Sequence, residues 1–597
     1  MIRVEKLSYG FPAKDLYHDI SFSLEAGQHC ALIGSNGTGK STLVDMLIEP
    51  EEYLFDGKIM KDASCRIGYA SQFSVKDKLQ ECTVFEYLSA RFLEVEEDIA
   101  DACDEMAAAE DMEAAFEKYQ ALLDLSEAMD ADNYESNIRK QLYIAGMTDL
   151  AETRLSQISG GEYKLLQIMR EMLLSPNLLI LDEPDVFLDF ANLNSLSRLI
   201  NEYKGTLLAV THNRYLLNHC FHKILHLENC RLQEFDGSYT QYRCSILREK
   251  LKLRLQNAAE QEEIQRTEQM VQILRKRATD MVNPVIGRSV NAKQSQLDRL
   301  RARQIEAPFI EVREPEIVLP EVAPVEAGIE ADSEPVTETE TAAGAKKPVL
   351  RISDYQVEFD EDLLQNVNFE ILTGEKVAVV GANGTGKTTL IRDILRNDDP
   401  SIYIDENVRY ACLSQLQGEA IDESKTVYEM LQDQGFGTRD SARAYLAKFC
   451  LEEELLDQRA GQLSGGEQNL LQIALIANSD AELLILDEPT SHLDIYGQMA
   501  LEKAVAEYKG TVLMVSHDFY LVAGCADYVL LVDDNTVRRM RTRNFRKMVY
   551  DKYFDRKYLE TDRRKQEIEA DITAAFKRDD FAAVDKLCDE LEALSTS

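Results

Sequence analysis

A motif-by-motif duplication constrains this chain more than any other feature. ALIGSNGTGKSTL (Ala31 to Leu43) returns as AVVGANGTGKTTL (Ala378 to Leu390), and ISGGE (Ile158 to Glu162) returns as LSGGE (Leu463 to Glu467). LLILDEP from Leu178 returns from Leu483, and VTHNRYL from Val210 returns as VSHDFYL from Val515. Four matches in one order require two homologous units. Lys40 and Lys387 stand 347 positions apart, whereas Ser159 and Ser464, Asp182 and Asp487, and His212 and His517 all stand 305 apart. The first unit therefore holds 42 additional residues between its first two motifs. They fall near Glu94 to Glu135, a stretch rich in Ala, Glu, Asp and Leu, without Gly or Pro, whose only basic residue is Lys118. That composition predicts an acidic helical insert.

Between the units, Arg243 to Glu306 reads as long helix broken once at Asn283-Pro284-Val285-Ile286-Gly287, hence a helical hairpin. Its first arm, Arg243 to Met281, would span about 58 Å. Arg275, Lys276, Arg277, Arg288, Lys293, Arg299, Arg301 and Arg303 make the tip and the return arm basic. Ala307 to Ala345 is rich in Glu, Pro, Val and Thr, with Arg313 as its only basic residue, and is expected to be disordered. The C-terminal segment from Phe545 reads as two helices split near Lys577 to Asp580, with a basic start and an acidic end. The reading divides the chain into 1–242, 243–306, 307–348, 349–544 and 545–597.

Charge narrows the function. Lys and Arg total 66 against 106 Asp and Glu, a net charge of -40, so nucleic-acid contact must be confined to a local patch. There is no apolar run long enough for a membrane helix, and the first ten residues alternate like a strand rather than a signal peptide. The 11 cysteines contain no C-x-x-C pair, which argues against a disulfide framework, a zinc ribbon or an iron–sulfur cluster and favours a reduced cytoplasm.

The repeated motifs carry phosphate chemistry. Gly34 to Thr42 and Gly381 to Thr389 fit G-x-x-x-x-G-K-[ST] between a strand-like and a helix-like run. Gly34, Gly37, Gly39, Gly381, Gly384 and Gly386 let backbone N–H groups turn inward around phosphates, together with Asn36 and Asn383. Lys40 and Lys387 are expected on the β- and γ-phosphates, with Ser41 and Thr388, each followed by a threonine (Thr42, Thr389), on Mg²⁺. Asp182 and Asp487 end apolar strand-like runs and are assigned to Mg²⁺, while Glu183 and Glu488 are placed to polarise the attacking water. His212 and His517, at one shared offset, are assigned to the γ-phosphate. Gln72 and Gln415 follow strand-like runs and fit a loop on Mg²⁺ and water.

This set resembles the ATP-binding cassette superfamily over nearly the whole of both halves. The resemblance implies an α/β fold with two P-loop ABC ATPase cassettes in one chain, ATP and Mg²⁺ as ligands, and hydrolysis of ATP. It also implies that Ser464, Gly465 and Gly466 cap the nucleotide on Lys40, and that Ser159, Gly160 and Gly161 cap the one on Lys387. An aromatic residue would stack the adenine, with Tyr9 and Phe359 as candidates and Phe11 and Tyr355 as rivals. Among fused cassettes, the hairpin, the Gly237-Ser238-Tyr239 to Tyr242 exit and D-E-P-T-S-H-L-D (Asp487 to Asp494) look like the ABC-F class of ribosome-binding factors. The other class left open is a tandem transporter ATPase paired with a membrane permease. By resemblance to ABC-F proteins, a monomer would bind the ribosome when closed on ATP, with its hairpin toward rRNA and peptidyl tRNA. It would leave after hydrolysis, as a translation or antibiotic-resistance factor without a membrane partner. The sequence departs from the family at Asp185, Val186 and Phe187, and at Tyr163 in place of Gln, so the two ATP sites are expected to differ.

Overall fold

The computed structural model describes residues 2–12, 14–62, 65–71, 81–108, 112–186, 188–280, 293–299, 312–321, 347–358, 362–414, 421–533, 535–552 and 558–595. Each repeat unit builds one six-stranded and one three-stranded sheet. In the first, the order is Ile67–Ala70, Leu178–Asp182, Thr206–Val210, His29–Ile33, Lys223–Glu228 and Arg231–Asp236, parallel except for the last strand. The second repeats it with Tyr410–Leu413, Leu483–Asp487, Thr511–Val515, Lys376–Gly381, Tyr528–Asp533 and Thr536–Arg541. The fold is thus α/β with two ABC-type cassettes.

The continuous apolar runs become central strands because both of their faces are covered. Leu179 and Leu181 enter the core on the helical side, while Leu178 and Ile180 face the antiparallel sheet Ile2–Phe11, Lys14–Leu24 and Asp56–Lys61. Register then sets the chemistry. Asp182 pairs with Val210 and Asp487 with Val515, so each carboxylate strand ends level with the strand that leads to His212 or His517.

The insert of the first cassette is helical at Val84–Ala108 and Met112–Ala128. Val84, Leu88, Phe92 and Val95 recur at helical spacing and anchor its root in the cassette core, and Lys118 bridges its two helices through Glu105 at 2.6 Å. The linker helix runs from Tyr239 to Asp280, 42 residues, and a return segment is helical over 293–299. The expected break at Asn283 to Gly287 lies outside the described residues. Among the described residues, no helix is long and apolar enough to cross a membrane.

Two segments differ from expectation. Residues 312–321, read as part of a disordered stretch, lie extended against the second cassette. Ile317 is buried in its core with Leu319 beside it, and the Glu316 N–H donates to the Lys448 carbonyl at 2.7 Å. Alternating apolar residues within an acidic stretch supply that anchor. Among the described residues the C-terminal segment is helical over Thr542–Lys552, Tyr558–Lys577 and Phe581–Ser595, with the expected split between the last two, and helix begins ahead of the expected boundary at Phe545. Phe545, Val549 and Tyr550 complete the second cassette's core, so the first of these helices belongs to the cassette.

The last two helices form a separate small core with the root of the linker helix. Ile568, Ile572, Val584, Cys588 and Leu591 pack on Cys244 and Leu251. Arg248 holds Asp585, Asp589 and Glu592 at 2.8, 2.5 and 2.6 Å, and Arg243 holds Glu569 at 3.1 Å. The second cassette therefore grips, through its own C-terminus, a helix that leaves the first. Arg248→Ala leaves three neighbouring carboxylates without their shared cation, a local loss of about 1–3 kcal/mol. Hydrogen exchange should rise in 558–595 before either cassette core loosens; unchanged exchange there would count against the clamp.

Candidate nucleotide sites between the cassettes

Each P-loop follows a central strand and opens a helix, Lys40–Ile48 or Lys387–Arg396. Gly39 and Gly386 sit at φ 93° and 88°, a left-handed turn that a Cβ would strain. Lys40 Nζ donates to the Gly34 and Ser35 carbonyls at 3.0 and 2.9 Å, and Lys387 Nζ to those of Gly381 and Ala382 at 2.9 and 2.6 Å. Both ammonium groups are buried, which lowers their pKa against the pull of nearby carboxylates. Ser41 hydrogen-bonds the Asp182 carboxylate, while Thr42 reaches Tyr17; Thr388 and Thr389 occupy the matching first turn of the second helix.

The S-G-G-E motifs are capping boxes. Ser159 Oγ accepts from the Glu162 N–H while Glu162 accepts from the Ser159 N–H, and Ser464 and Glu467 repeat this. The helices they start, from Gly160 and Gly465, point at the P-loop of the other cassette. A Cβ on Gly466 would run into the Asn36 amide, and one on Gly161 would lie 3.2 Å from Asn383 Nδ2. The expected cross-pairing thus has direct geometric counterparts: P-loop one faces signature two, and P-loop two faces signature one.

Two residues that the sequence reading left without a role hold this arrangement. Asp494 Oδ1 caps its own helix through the Gly497 N–H at 2.7 Å, while its Oδ2 accepts the Asn36 N–H at 3.1 Å. Asp189 does the same with Asn192 at 2.9 Å and Asn383 at 3.2 Å. The Asn36 side chain also donates to the His492 carbonyl at 2.7 Å. The next residues exchange places: Phe190 enters the second cassette's core and Ile495 the first's. Asp189 and Asp494 share the 305-residue offset of the other motifs, and that was the available signal.

Glu183 and Glu488 adopt left-handed backbones, φ 45° and 47°, immediately after their strands. Both glutamates, His212 and His517 line a single cavity of about 220 Å³ between the cassettes. His517 Nε2 lies 3.6 Å from Glu488 Oε1, and the His517 N–H donates to Glu488 Oε2 at 3.3 Å. Burial, with Asp487 next to it, pushes the Glu488 carboxyl up to about 8, while burial pushes His517 down to about 3. Asp182 is raised to about 6 by burial and by Glu183. Asp182 Oδ1, both His212 ring nitrogens and His517 Nδ1 are buried without a hydrogen-bond partner among the described residues. Unsatisfied acceptors and donors of this kind, next to two caged lysines, fit a cation and phosphate oxygens.

The aromatic candidates separate. Tyr355 is 1% exposed and donates to Asp393 at 2.7 Å, so it is a core residue rather than a platform for adenine. Tyr9 is half-buried against Phe11, Tyr17 and Tyr53, and Phe11 is exposed. Phe359, Gln72 and Gln415 lie outside the described residues.

The two sites are wired differently. In the second, Asn469 donates to the Pro489 and Ser491 carbonyls at 3.2 and 2.6 Å, pinning the loop after Glu488. In the first, Lys164 stands at that position and donates to the Ser71 carbonyl at 2.5 Å. Asp185, at the place of Thr490, accepts from Thr211 at 2.5 Å and is raised to about 6 by burial. Tyr163, at the place of Gln468, packs on Tyr87. Tyr17 donates to the Gly39 carbonyl at 2.5 Å, and Leu364 stands at its place in the second copy.

Comparison with known proteins agrees with this geometry. The family described as ABC transporter matches residues 17–186 and 364–491, and a second profile of the same description matches 225–318, the start of the linker included. The YfmM ATP-binding protein of Bacillus subtilis, uncharacterized, is 28% identical over 87% of this chain and 96% of its own length. ABC transporter F family member 2 of Arabidopsis thaliana is 29% identical over 89% and 76%, and the energy-dependent translational throttle protein EttA of Haemophilus influenzae is 28% identical over 87% and 89%. The solved RNase-L inhibitor shares the fold, with a TM-score of 0.54 at 17% identity over 92% of each chain. The chain belongs to the ATP-binding cassette family, as a tandem-cassette member of its ABC-F class. It is a nucleotide-binding ATP hydrolase.

Two outcomes follow from the site. A carboxyl raised in the folded state keeps its proton between the unfolded value and about 8, so folding stability falls as pH rises through that window. Glu488→Gln should flatten the fall in melting temperature between about pH 5 and 8; an identical slope in both proteins would refute the shift. Glu488→Gln should also cost about 10²-fold in turnover or more, and Glu183→Gln about tenfold or less. Equal losses in steady-state phosphate release would show the rewiring around Lys164 to be without consequence.

Proposed function

We propose that this chain is a cytoplasmic, monomeric ribosome factor that hydrolyses ATP to reset its own shape. The observation carrying this reading is the similarity to a translational throttle protein over 87% of the chain, together with a long helix between the cassettes. In this proposal Lys40 and Lys387 leave their loop carbonyls for the β- and γ-phosphates of ATP. Ser464, Gly465 and Gly466 close over one nucleotide, and Ser159, Gly160 and Gly161 over the other. Ser41 with Asp182 and Thr388 with Asp487 would hold Mg²⁺, joined by Gln72 and Gln415. Mg²⁺ supplies neutralisation of phosphate charge when bound. Glu183 and Glu488 take the proton of the attacking water, His212 and His517 hold that geometry, and Tyr9 stacks the adenine. Both glutamates line one cavity, and the raised carboxyl of Glu488 is better matched to proton abstraction near neutral pH.

Closed on ATP, the protein binds the ribosome with its basic linker hairpin directed at rRNA and peptidyl tRNA near the peptidyl-transferase centre. Loss of the γ-phosphate removes what both cassettes hold in common, and the complex comes apart. The acidic body disfavours RNA elsewhere, which confines contact to basic elements. The roles of translation factor and antibiotic protection share this cycle.

The test is co-pelleting of the Glu183→Gln/Glu488→Gln double variant with bacterial 70S ribosomes, with and without ATP. Pelleting that needs ATP and is lost when Arg275, Lys276 and Arg277 become Ala is expected. Absence of pelleting under both conditions would discard the ribosome reading in favour of a transporter ATPase with a membrane permease.

A further inference from the structure

The root of the linker helix and the last C-terminal helix meet at two thiols. On the linker helix, Cys244, Arg248 and Leu251 recur at helical spacing and share one face, as do Asp585, Cys588, Asp589 and Glu592 on Phe581–Ser595. Arg248 holds carboxylates on either side of Cys588, so the two helices cross at that residue. Cys244 is 1% exposed and Cys588 fully buried, and their thiols, both free, hydrogen-bond one another. A small apolar side chain would fill the same space, so packing alone does not ask for a thiol on both sides of the contact.

The surroundings set this pair apart from the other buried thiols. Burial pushes Cys30, Cys220 and Cys525 up to about 12, which makes them inert. Cys588 is instead lowered, because the Cys244 thiol donates to its sulfur and the Arg248 guanidinium stands nearby. Cys244 is raised by that same hydrogen bond and by burial, so the first proton leaves Cys588. One sulfur is thereby primed to attack and a second lies within its reach. The pair belongs to the small core outside both cassettes, whose few buried side chains open at lower cost than a cassette core does. Its two sides come from different cassettes. Tyr239 and Tyr242, at the start of the linker helix, are buried in the first cassette's core. On the other side, only residues 553–557 separate the C-terminal pair of helices from the helix whose Phe545 and Val549 lie in the second.

We propose that Cys244 and Cys588 are a redox modification site, at which a low-molecular-weight disulfide staples the linker root to the C-terminal helices and slows ATP turnover. The Cys588 thiolate attacks one sulfur of that disulfide, giving a mixed disulfide and a small thiolate, which takes up the proton Cys588 had lost. Cys244 then attacks the Cys588 sulfur, and its proton goes to the second small thiolate as this leaves. Two protein thiols are oxidised to one disulfide, and the small disulfide is reduced to two thiols. The new bond joins positions 344 apart, with the whole second cassette inside the closed loop. It holds the linker root and the C-terminal helices together whichever nucleotide is bound, so the cassettes lose freedom to separate between rounds of hydrolysis. Disulfides in a reducing compartment are transient and sense redox state, which fits a pair whose reduced form packs as core. The inference rests on the two-cassette fold and on ATP hydrolysis, not on the ribosome reading.

The test treats the full-length protein, without ribosomes, with glutathione disulfide at rising ratios to glutathione, and follows ATP turnover alongside peptide mapping. A peptide joining Cys244 to Cys588 should appear, turnover should fall at least about threefold as it accumulates, and dithiothreitol should reverse both. Cys244→Ser and Cys588→Ser, with Cys588→Ala beside them in case a serine unsettles the core, should hydrolyse ATP within about twofold of the unchanged protein and should not respond to glutathione disulfide. Absence of the joined peptide at every ratio, whether or not the exposed Cys103 and Cys450 take up glutathione, would overturn the site. A joined peptide with unchanged turnover would overturn the staple as a control on hydrolysis. An equal fall in the cysteine variants would place the sensitivity at another thiol and overturn the assignment.

Discussion

The arrangement of the molecule depends on one carboxylate used twice in each half. Asp494 caps its own helix with one oxygen and holds a backbone N–H of the opposite P-loop with the other, and Asp189 mirrors it. A capping bond fixes a helix terminus to within a rotamer. Sharing that cap with the facing P-loop makes each cassette's loop geometry conditional on the other's position. Phe190 and Ile495, exchanged between the two cores, add apolar burial directly after these carboxylates. Glu183 and Glu488 stand six residues before the shared aspartates. The P-loops that carry Lys40 and Lys387 are thereby braced from across the interface.

Within this near-symmetric frame the two sites have drifted apart through a few substitutions. Lys164 for Asn469 and Asp185 for Thr490 replace two neutral hydrogen-bonding groups with a buried cation and a buried acid. Lys164 donates to the Ser71 carbonyl, and Asp185 accepts from Thr211. Tyr17 stiffens the first P-loop at Gly39, where the second copy has an apolar neighbour instead. Each change lies beside the candidate nucleotide sites rather than on the surface.

Much of this was legible in the sequence because duplication acts as an internal control. Four motifs at two offsets located the strands, the P-loops and the insert. The alternation of Leu178 to Leu181 between two cores follows from strand periodicity alone. What the sequence did not disclose were contacts whose meaning is purely spatial. Asp189 and Asp494 sat in plain view at the shared offset, but their second hydrogen bond crosses to the other half. Ile317 was lost in an acidic, Pro-rich stretch because composition averages over the two apolar side chains that find a groove. Tyr355 stood as a rival to Tyr9 and Phe359 for the adenine, yet its ring is enclosed and its hydroxyl committed to Asp393. The boundary at Phe545 fell on the wrong side for a similar reason: Phe545 and Val549 are core residues of the cassette before them.

The grip of the C-terminal helices on the linker root also has a mechanical meaning. The linker helix is about 63 Å long, and its contacts with the small C-terminal core lie within its first few turns. A rotation of only about 5° at that root displaces the far end by about 5 Å, the pitch of a helical turn. An ångström-scale rearrangement where Arg248 meets its three carboxylates would thus be magnified into a side-chain-sized displacement at the far end of the helix.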